Sequence, residues 1–359
     1  MRFIIDIGHP GHIHYFKNLY LNLKAHDHTI LIIARNKEVT FELLKYYQMP
    51  FIGRGKGEKS FFGKLIYLLT ASIFIFRSGY NFKPDIIISF SSPYAAIAAL
   101  LLRCPSIVLD DTEVGRFERY IYKPFADLII TPKVFLKDLG RKQFRFDGLM
   151  ELAYLSPKYF KPDPGILEDL GILGTDKYVI VRFVSWEASH DKGQLGLSLQ
   201  QKHDIINLCR NYAKIFISSE KKLPDSLEEY RLNISPHKLH DALFYASLYI
   251  GEGATTASEA CLLGTPAIYI NTISAGTIEE EEKYGVLFNY RNFEGVLGQV
   301  TKILNEKNKD KYNLLSGELK KNRIDLTSFL TWLIEEYPQS KERLFKDPDY
   351  QNKFRLKTV

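Results

Sequence analysis

The segment Gly8-His9-Pro10-Gly11-His12-Ile13-His14 follows a short apolar run and precedes the helical run Tyr15 to Lys24. Glycines at such a turn let the backbone approach a ligand closely, and the N–H groups of the following helix favour an anion or a partly negative oxygen. Imidazole titrates near neutral pH and can take a proton from an attacking hydroxyl. His12 is therefore the first choice of base, with His14 beside it, and Gly8, His9 and Gly11 form the loop that approaches substrate. The His-x-x-His-x-His string is compatible with zinc, but no carboxylate or cysteine cluster accompanies it, and no metal is expected. Each histidine taken singly reads as a cap on the turn.

A second motif, Gly251-Glu252-Gly253-Ala254-Thr255-Thr256-Ala257-Ser258-Glu259-Ala260, has the same strand, glycine-rich turn and helix order. The small residues Gly253, Ala254, Thr255 and Thr256 leave room for a diphosphate at a helix start, and Glu259 one turn on can accept two hydrogen bonds from a ribose diol. The alternative is local: Thr255 or Thr256 caps the helix and Glu259 completes a capping box. Asp110, Asp111 and Glu113 follow an apolar strand, where Asp111 and Glu113 can orient an acceptor hydroxyl or replace histidine as base; alternatively the group caps the next helix. Arg182, Ser185 and Trp186 follow the opening strand of the second half, where a cation can meet a diphosphate bidentately, or else they form an exposed loop. Ser218, Ser219 and Glu220 end a further strand. His237 precedes the helix before the second motif, and Ser274-Ala275-Gly276-Thr277 follows the strand Ala267 to Asn271. Glu279 to Glu282 reads as a solvated helix face.

These residues need elements to hold them. Apolar β-rich runs alternate with helix-length segments almost throughout, the pattern of parallel βαβ units with both sheet faces covered. Strands are expected at Phe3 to Ile7, Thr29 to Ala34, Asp85 to Ser89, Ser106 to Leu109 and Leu128 to Thr131, then at Tyr178 to Phe183, Lys214 to Ser218, Leu248 to Gly251 and Ala267 to Asn271. Between the halves, Ser156 to Gly165 carries three prolines and an Asp-Pro-Gly turn, so the linker is placed there. The expected organisation is a first doubly wound α/β domain over 1–155, a second over 166–335, and a helical tail over 336–359, the sheets' carboxyl ends facing across a cleft. The stripe Leu326, Phe329, Leu330, Trp332 and Leu333 reads as core.

At 359 residues, with 45% hydrophobic and 25% charged residues, the chain can bury two full cores and is neither disordered nor fibrous. The net charge of +6 is too small and too scattered to argue for nucleic acid, and no nucleic-acid partner is expected. Cys104, Cys209 and Cys261 lie far apart in apolar contexts, as buried thiols in a reducing cytoplasm do. Met1 to Ile7 reads as a strand and not as a secretion signal, so a cytoplasmic location is expected. The apolar stretch Phe61 to Phe76, with Lys64 inside it, falls short of a spanning helix. It reads as a helix packed on a sheet or, alternatively, as a partly exposed patch rimmed by Arg54, Lys56 and Lys59 that makes peripheral contact with a membrane.

The run GATTASEACLLGTPAI resembles the nucleotide-sugar signature of GT-B fold glycosyltransferases, and GHPGH resembles their N-terminal glycine-rich loop, with a histidine at His12. From GHPGHIHYFKN through SPHKLHDAL to GEGATTASEA, the chain is similar to prokaryotic proteins grouped as domain of unknown function 354. The resemblance implies two Rossmann-like domains, the first on the acceptor side and the second on the donor side, with Glu259 on the ribose, Gly253 to Thr256 facing the phosphates, Ser274 to Thr277, Gly276 among them, at the donor sugar or diphosphate, and the segment around His237 lining the base pocket. It implies a glycosyltransferase that moves a sugar from a UDP-linked donor to a cell-surface glycan or polyprenyl-linked acceptor without a cofactor. Glu113-Val114-Gly115-Arg116 followed by Ala126 to Pro132 resembles the related non-hydrolysing UDP-N-acetylglucosamine 2-epimerases. Those carry histidine-arginine and glutamate-asparagine patterns where this chain reads Arg182-Phe183-Val184-Ser185-Trp186-Glu187-Ala188-Ser189-His190, so epimerisation ranks second. A non-catalytic nucleotide-sugar-binding protein is the remaining alternative.

Overall fold

The computed structural model describes residues 1–58, 60–183, 196–219, 222–306 and 309–356. Twelve strands run along the chain: β1 (Arg2–Ile7), β2 (Thr29–Ala34), β3 (Phe51–Gly53), β4 (Ile86–Phe90), β5 (Ser106–Leu109), β6 (Leu128–Pro132), β7 (Gln143–Phe146), β8 (Tyr178–Phe183), β9 (Lys214–Ser219), β10 (Leu248–Gly251), β11 (Ala267–Ile270) and β12 (Leu287–Tyr290). They form a seven-stranded sheet ordered β3-β2-β1-β4-β5-β6-β7 and a five-stranded sheet ordered β12-β11-β10-β8-β9. Every pairing is parallel, for example Ile4 against Leu31 and Ile87, and Ile250 against Val181 and Ile268. Each sheet with its helices is a doubly wound, Rossmann-like α/β unit, as the alternation of elements predicts.

Parallel strands need helical crossovers on both faces, which is why the central strands are almost wholly apolar and buried. The strands not anticipated from sequence are β3, β7 and β12, each three or four residues long and at a sheet edge. An edge strand has one covered side and mixed polarity, so its periodicity is too short to stand out.

In a doubly wound sheet, ligands bind beyond the carboxyl ends of the strands where the direction of winding reverses. In the first sheet that point lies between β1 and β4, and in the second between β8 and β10. The turn after β1 contains Gly8 and His9, and the turn after β10 contains Glu252 and Gly253, so both glycine-rich motifs open at switch points.

The chain divides into two units, 1–159 with 322–359 and 160–321, the break falling between Tyr159 and Phe160 inside the proline-rich segment. The expected boundary at residue 335 is corrected: from Asn322 onward the chain belongs to the first unit. Leu326–Glu335 lies against Pro10–Ala25, where Asn22 Nδ2 donates to Thr331 Oγ1 at 3.2 Å and Thr327 Oγ1 donates to the Ala153 carbonyl at 2.9 Å. Leu326, Phe329, Leu330 and Leu333 are fully buried there, as their helical spacing anticipates.

Candidate functional site

In the first unit the helix Pro10–Ala25 begins directly behind β1, several residues earlier than expected, because Pro10 in its first turn needs no donor and has the right φ. His9 is exposed and caps this helix, its Nδ1 accepting from the Gly11 N–H at 3.1 Å. The Gly8 N–H donates to His12 Nδ1 at 3.3 Å, which leaves the proton of a neutral ring on Nε2. The His12 ring packs 4.7 Å from the Phe90 ring. Burial, with the Lys37 and Arg54 cations adding to it, pushes its pKa down to about 3. At neutral pH His12 is thus a neutral hydrogen-bond donor and a weak base, which departs from its expected chemistry. His14 is buried on the same helix with the Tyr154 ring 5.2 Å and the Tyr47 ring 6.0 Å away, in a packing position.

Beneath this turn lies a network absent from the sequence reading. Asp6 in β1 accepts from Arg54 Nε at 2.8 Å, from Arg54 Nη2 at 3.3 Å and from Ser92 Oγ at 2.6 Å. Arg54 also donates to the Tyr67 hydroxyl and lies 4.8 Å from the centre of the Tyr94 ring. Its side chain is 1% exposed, so Arg54 is no rim residue of a surface patch, whereas Lys56 is exposed and Lys59 lies outside the described residues. Ser92 caps the helix Pro93–Leu102, so the network joins the turn after β1 to the ends of β3 and β4. The signal that could have found it is an aspartate inside the apolar run Phe3-Ile4-Ile5-Asp6-Ile7, since a buried charge must be paired.

Farther along the same sheet edge, β5 runs into the acidic cluster. Asp110 is buried and accepts from the Thr112 N–H at 2.9 Å, from Arg119 Nε at 3.5 Å and from the Tyr122 hydroxyl, which is a structural role. Glu113 is buried and accepts from the Leu136 N–H at 3.4 Å. Asp111 is half-buried, and burial together with the neighbouring Asp110 and Glu113 carboxylates raises its pKa to about 7. The next helix, Arg116–Phe125, has Gly115 at its cap position with no side-chain cap, so the acidic cluster does not cap it.

In the second unit β10 ends at Gly251, where a Cβ would lie 2.9 Å from the Arg182 carbonyl oxygen. Only glycine lets β10 approach β8 this closely. Gly253 is the cap residue of the helix Ala254–Leu262 and no side chain caps it, so neither Thr255 nor Thr256 has that role and no capping box forms. Gly253 and Ala254 are half-buried, Thr255 is exposed and Thr256 is buried. Glu259 is 5% exposed and its Oε1 lies 3.0 Å from His240 Nε2. The carboxylate is therefore buried, with one of its oxygens against a buried histidine, whereas the sequence reading has it accept two hydrogen bonds from a ribose diol. His240 was missed because His237, three residues earlier, has the same chemistry; His237 is half-buried in the short turn Pro236–Lys238.

Arg182 at the end of β8 donates from Nη1 to Ser218 Oγ at 3.0 Å, and Ser219 is half-buried at the end of β9. Glu252 accepts from the Leu197 N–H at 2.7 Å, and its carbonyl accepts from Asn271 Nδ2 at 2.9 Å, which ties the β10 turn to the end of β11. Ser185, Trp186 and Glu220 lie outside the described residues. Among the described residues, no three His, Cys, Asp or Glu side chains converge as metal ligands.

Gly276 is buried at the start of the helix Gly276–Lys283, and Glu281 on that helix is fully buried, which corrects the expectation that Glu279 to Glu282 is a solvated face. Ser258 Oγ donates to Glu281 Oε2 at 2.9 Å, whereas Oε1 has no hydrogen-bond partner among the described residues. Burial raises the Glu281 pKa from 4.5 to about 8. The folded state then holds a proton that the unfolded chain releases, so wild-type stability falls as pH rises from about 4.5 through about 8. Glu281→Gln keeps the Ser258 bond and removes this slope. It should be more stable than wild type at pH 9 by on the order of 3 kcal/mol, read from thermal melts across pH. Parallel pH profiles for the two proteins would rule out this origin.

Several solved structures share the fold. The UDP-N-acetylglucosamine 2-epimerase from Rickettsia bellii is 16% identical, with 96% of this chain and 98% of that one covered and a TM-score of 0.64. The UDP-GlcNAc 2-epimerase from Neisseria meningitidis, solved bound to UDP-GlcNAc, is 11% identical, with coverages of 97% and 100% and a TM-score of 0.63. The glycotransferase of kitacinnamycin is 12% identical, with coverages of 93% and 98% and a TM-score of 0.59. No curated protein matches the chain in sequence. Residues 1–309 match the profile of a family described as "Protein of unknown function (DUF354)".

Proposed function

The chain belongs to the DUF354 family, and on that premise we propose that its second unit binds a UDP-linked sugar and its first unit supplies the proton transfer for moving that sugar to a hydroxyl acceptor. The observation that carries this reading is the start of the helix Ala254–Leu262 at the β8 and β10 switch point. There the N–H groups have no side-chain cap, Thr255 is exposed, and Glu259 is held below by His240. An uncapped helix start favours an anion through its unpaired N–H groups and its dipole. Arg182 adds a cation at the neighbouring strand end, and Ser185, Ser219, His237 and Gly276 are proposed on the same donor side. The UDP-GlcNAc complex of the Neisseria protein supports the choice of ligand.

In the first unit, Asp111 with a pKa near 7 is placed to accept the hydroxyl proton, while the Nε2–H of His12 donates to an oxygen that gains negative charge. The acceptor proposed is a cell-surface glycan or a polyprenyl-linked sugar, in a cytoplasmic reaction that draws on no cofactor. A second reading, epimerisation at the sugar C2, is favoured by Asp111, whose carboxyl pKa is raised by the neighbouring Asp110 and Glu113, since a carboxyl that titrates near neutral pH suits reversible proton transfer. The two readings separate on UDP-GlcNAc in heavy water: an epimerase exchanges the C2 proton without acceptor, and a transferase releases UDP only when acceptor is supplied.

Thr255→Asp tests the donor site. The new carboxylate at the first helical turn is favourable for the helix, so the melting temperature should hold or rise slightly, while UDP affinity in calorimetry should fall at least about tenfold. Unchanged UDP affinity would remove the phosphate site from this helix.

A further inference from the structure

We propose that the first unit docks on an anionic lipid bilayer through the outer faces of three adjacent helices, Phe61–Phe82, Pro93–Leu102 and Arg116–Phe125. On the first of these, Phe62, Leu65, Ile66, Leu69 and Ile73 form one exposed apolar stripe, with Phe62 76% and Ile66 62% exposed. The neighbouring helices also expose Leu100 and Leu101, and Phe117 and Tyr120, the last 80% exposed. Exposed apolar side chains in this number on adjacent helices mark an interaction site. The helix Pro10–Ala25 belongs to the opposite sheet face, where Leu326–Glu335 overlies it; nothing among the described residues overlies these three helices in the same way.

Charge chooses the occupant. Lys64 and Arg77 lie on the first helix, Arg103 follows the second, and Arg116 and Lys123 lie on the third, whereas Glu118 is the one acid that these three helices contain. Beside the third helix, Lys123, Arg141 and Lys142 line a depression of about 380 Å³ and add to this basic rim. A second copy of the chain docked by two-fold symmetry would set this basic rim against itself. An anionic lipid surface complements it.

The helix lies along the surface and does not cross the bilayer. Over Phe62–Phe82 it is long and apolar enough by composition to span, but Tyr67, Ala71, Ile75 and Gly79 on its inner side are buried in the unit's core. A Cβ on Gly79 would lie 2.5 Å from Leu102 Cδ1 and 3.2 Å from Ile4 Cδ1, so the helix is already committed to the sheet. Docking requires no nucleotide and is independent of the donor-site reading.

Flotation of the full chain with vesicles tests this. Wild type should float with phosphatidylglycerol–phosphatidylcholine vesicles, stay behind with phosphatidylcholine alone, and dissociate as salt is raised. Ile66→Glu with Tyr120→Glu alters two exposed side chains and should leave the circular dichroism unchanged while lowering partition about tenfold or more. Wild-type partition that is absent, or indifferent to lipid charge and salt, overturns the proposal without reference to any variant. So does a folded double variant that still floats, or one that changes only from dimer to monomer by light scattering, which would assign the face to a second copy. UDP affinity is read separately, so failure here leaves the donor site standing, and failure there leaves this surface standing.

Discussion

Asp6→Ala is expected to lower the unfolding free energy of the first unit by about 3–5 kcal/mol, because it strands a buried guanidinium. Arg54 and Asp6 have side chains 1% and 0% exposed, and their bidentate pair is completed by Ser92 and the Tyr67 hydroxyl. The loss is mostly the penalty of an unpaired buried charge and not the worth of the pair. Combining Asp6→Ala with Arg54→Met should therefore recover much of it, since apolar replacement of both partners is often near neutral. Urea unfolding of wild type, both single variants and the double variant closes the cycle. A single-variant loss below about 1 kcal/mol would mean that water reaches Arg54 and that the network does not organise the β1 turn.

Asp111→Asn should divide activity from stability in the opposite direction. The variant should lose about 10²–10⁴-fold in turnover of UDP-GlcNAc if Asp111 transfers the proton, with UDP affinity unchanged. The wild-type rate should rise with pH through about 7, as the carboxyl ionises, and that limb should vanish in the variant. Stability follows the same raised pKa with the opposite sense. The folded state prefers the protonated form, so wild-type stability falls as pH rises from about 3.8 through about 7. The asparagine variant escapes that penalty and should melt a few degrees higher at pH 8, at about 2–4 °C per kcal/mol. Wild-type turnover in the variant would exclude Asp111 from the chemistry, and an unchanged melting temperature would mean that its carboxyl is well solvated.

The alternation of β-rich runs and helices, nine of the twelve strands and the placing of both glycine-rich motifs behind strands are legible in the residues, because buried parallel strands must be apolar and their turns must be small. Gly251 and Gly253 could be read for the same reason: where backbones approach, side chains are excluded. Local pattern fails where a partner is distant in sequence. His12 looks like any neutral-range imidazole until the Gly8 N–H occupies Nδ1 and Phe90, Lys37 and Arg54 surround the ring. Glu259 looks open until His240 is found against it, and Glu281 looks solvated until its helix turns it onto Ser258.

Sequence by itself determined the fold class and which turns carry small and titratable residues, since burial periodicity and backbone sterics act within a few residues. Tertiary structure alone decided the proton inventory, the Asp6 and Arg54 network, the return of the chain at Asn322 to the first unit, and the apolar face left uncovered on three helices. Those depend on what the fold brings near from far along the chain, and desolvation and Coulomb energies follow distance in space, not separation in sequence.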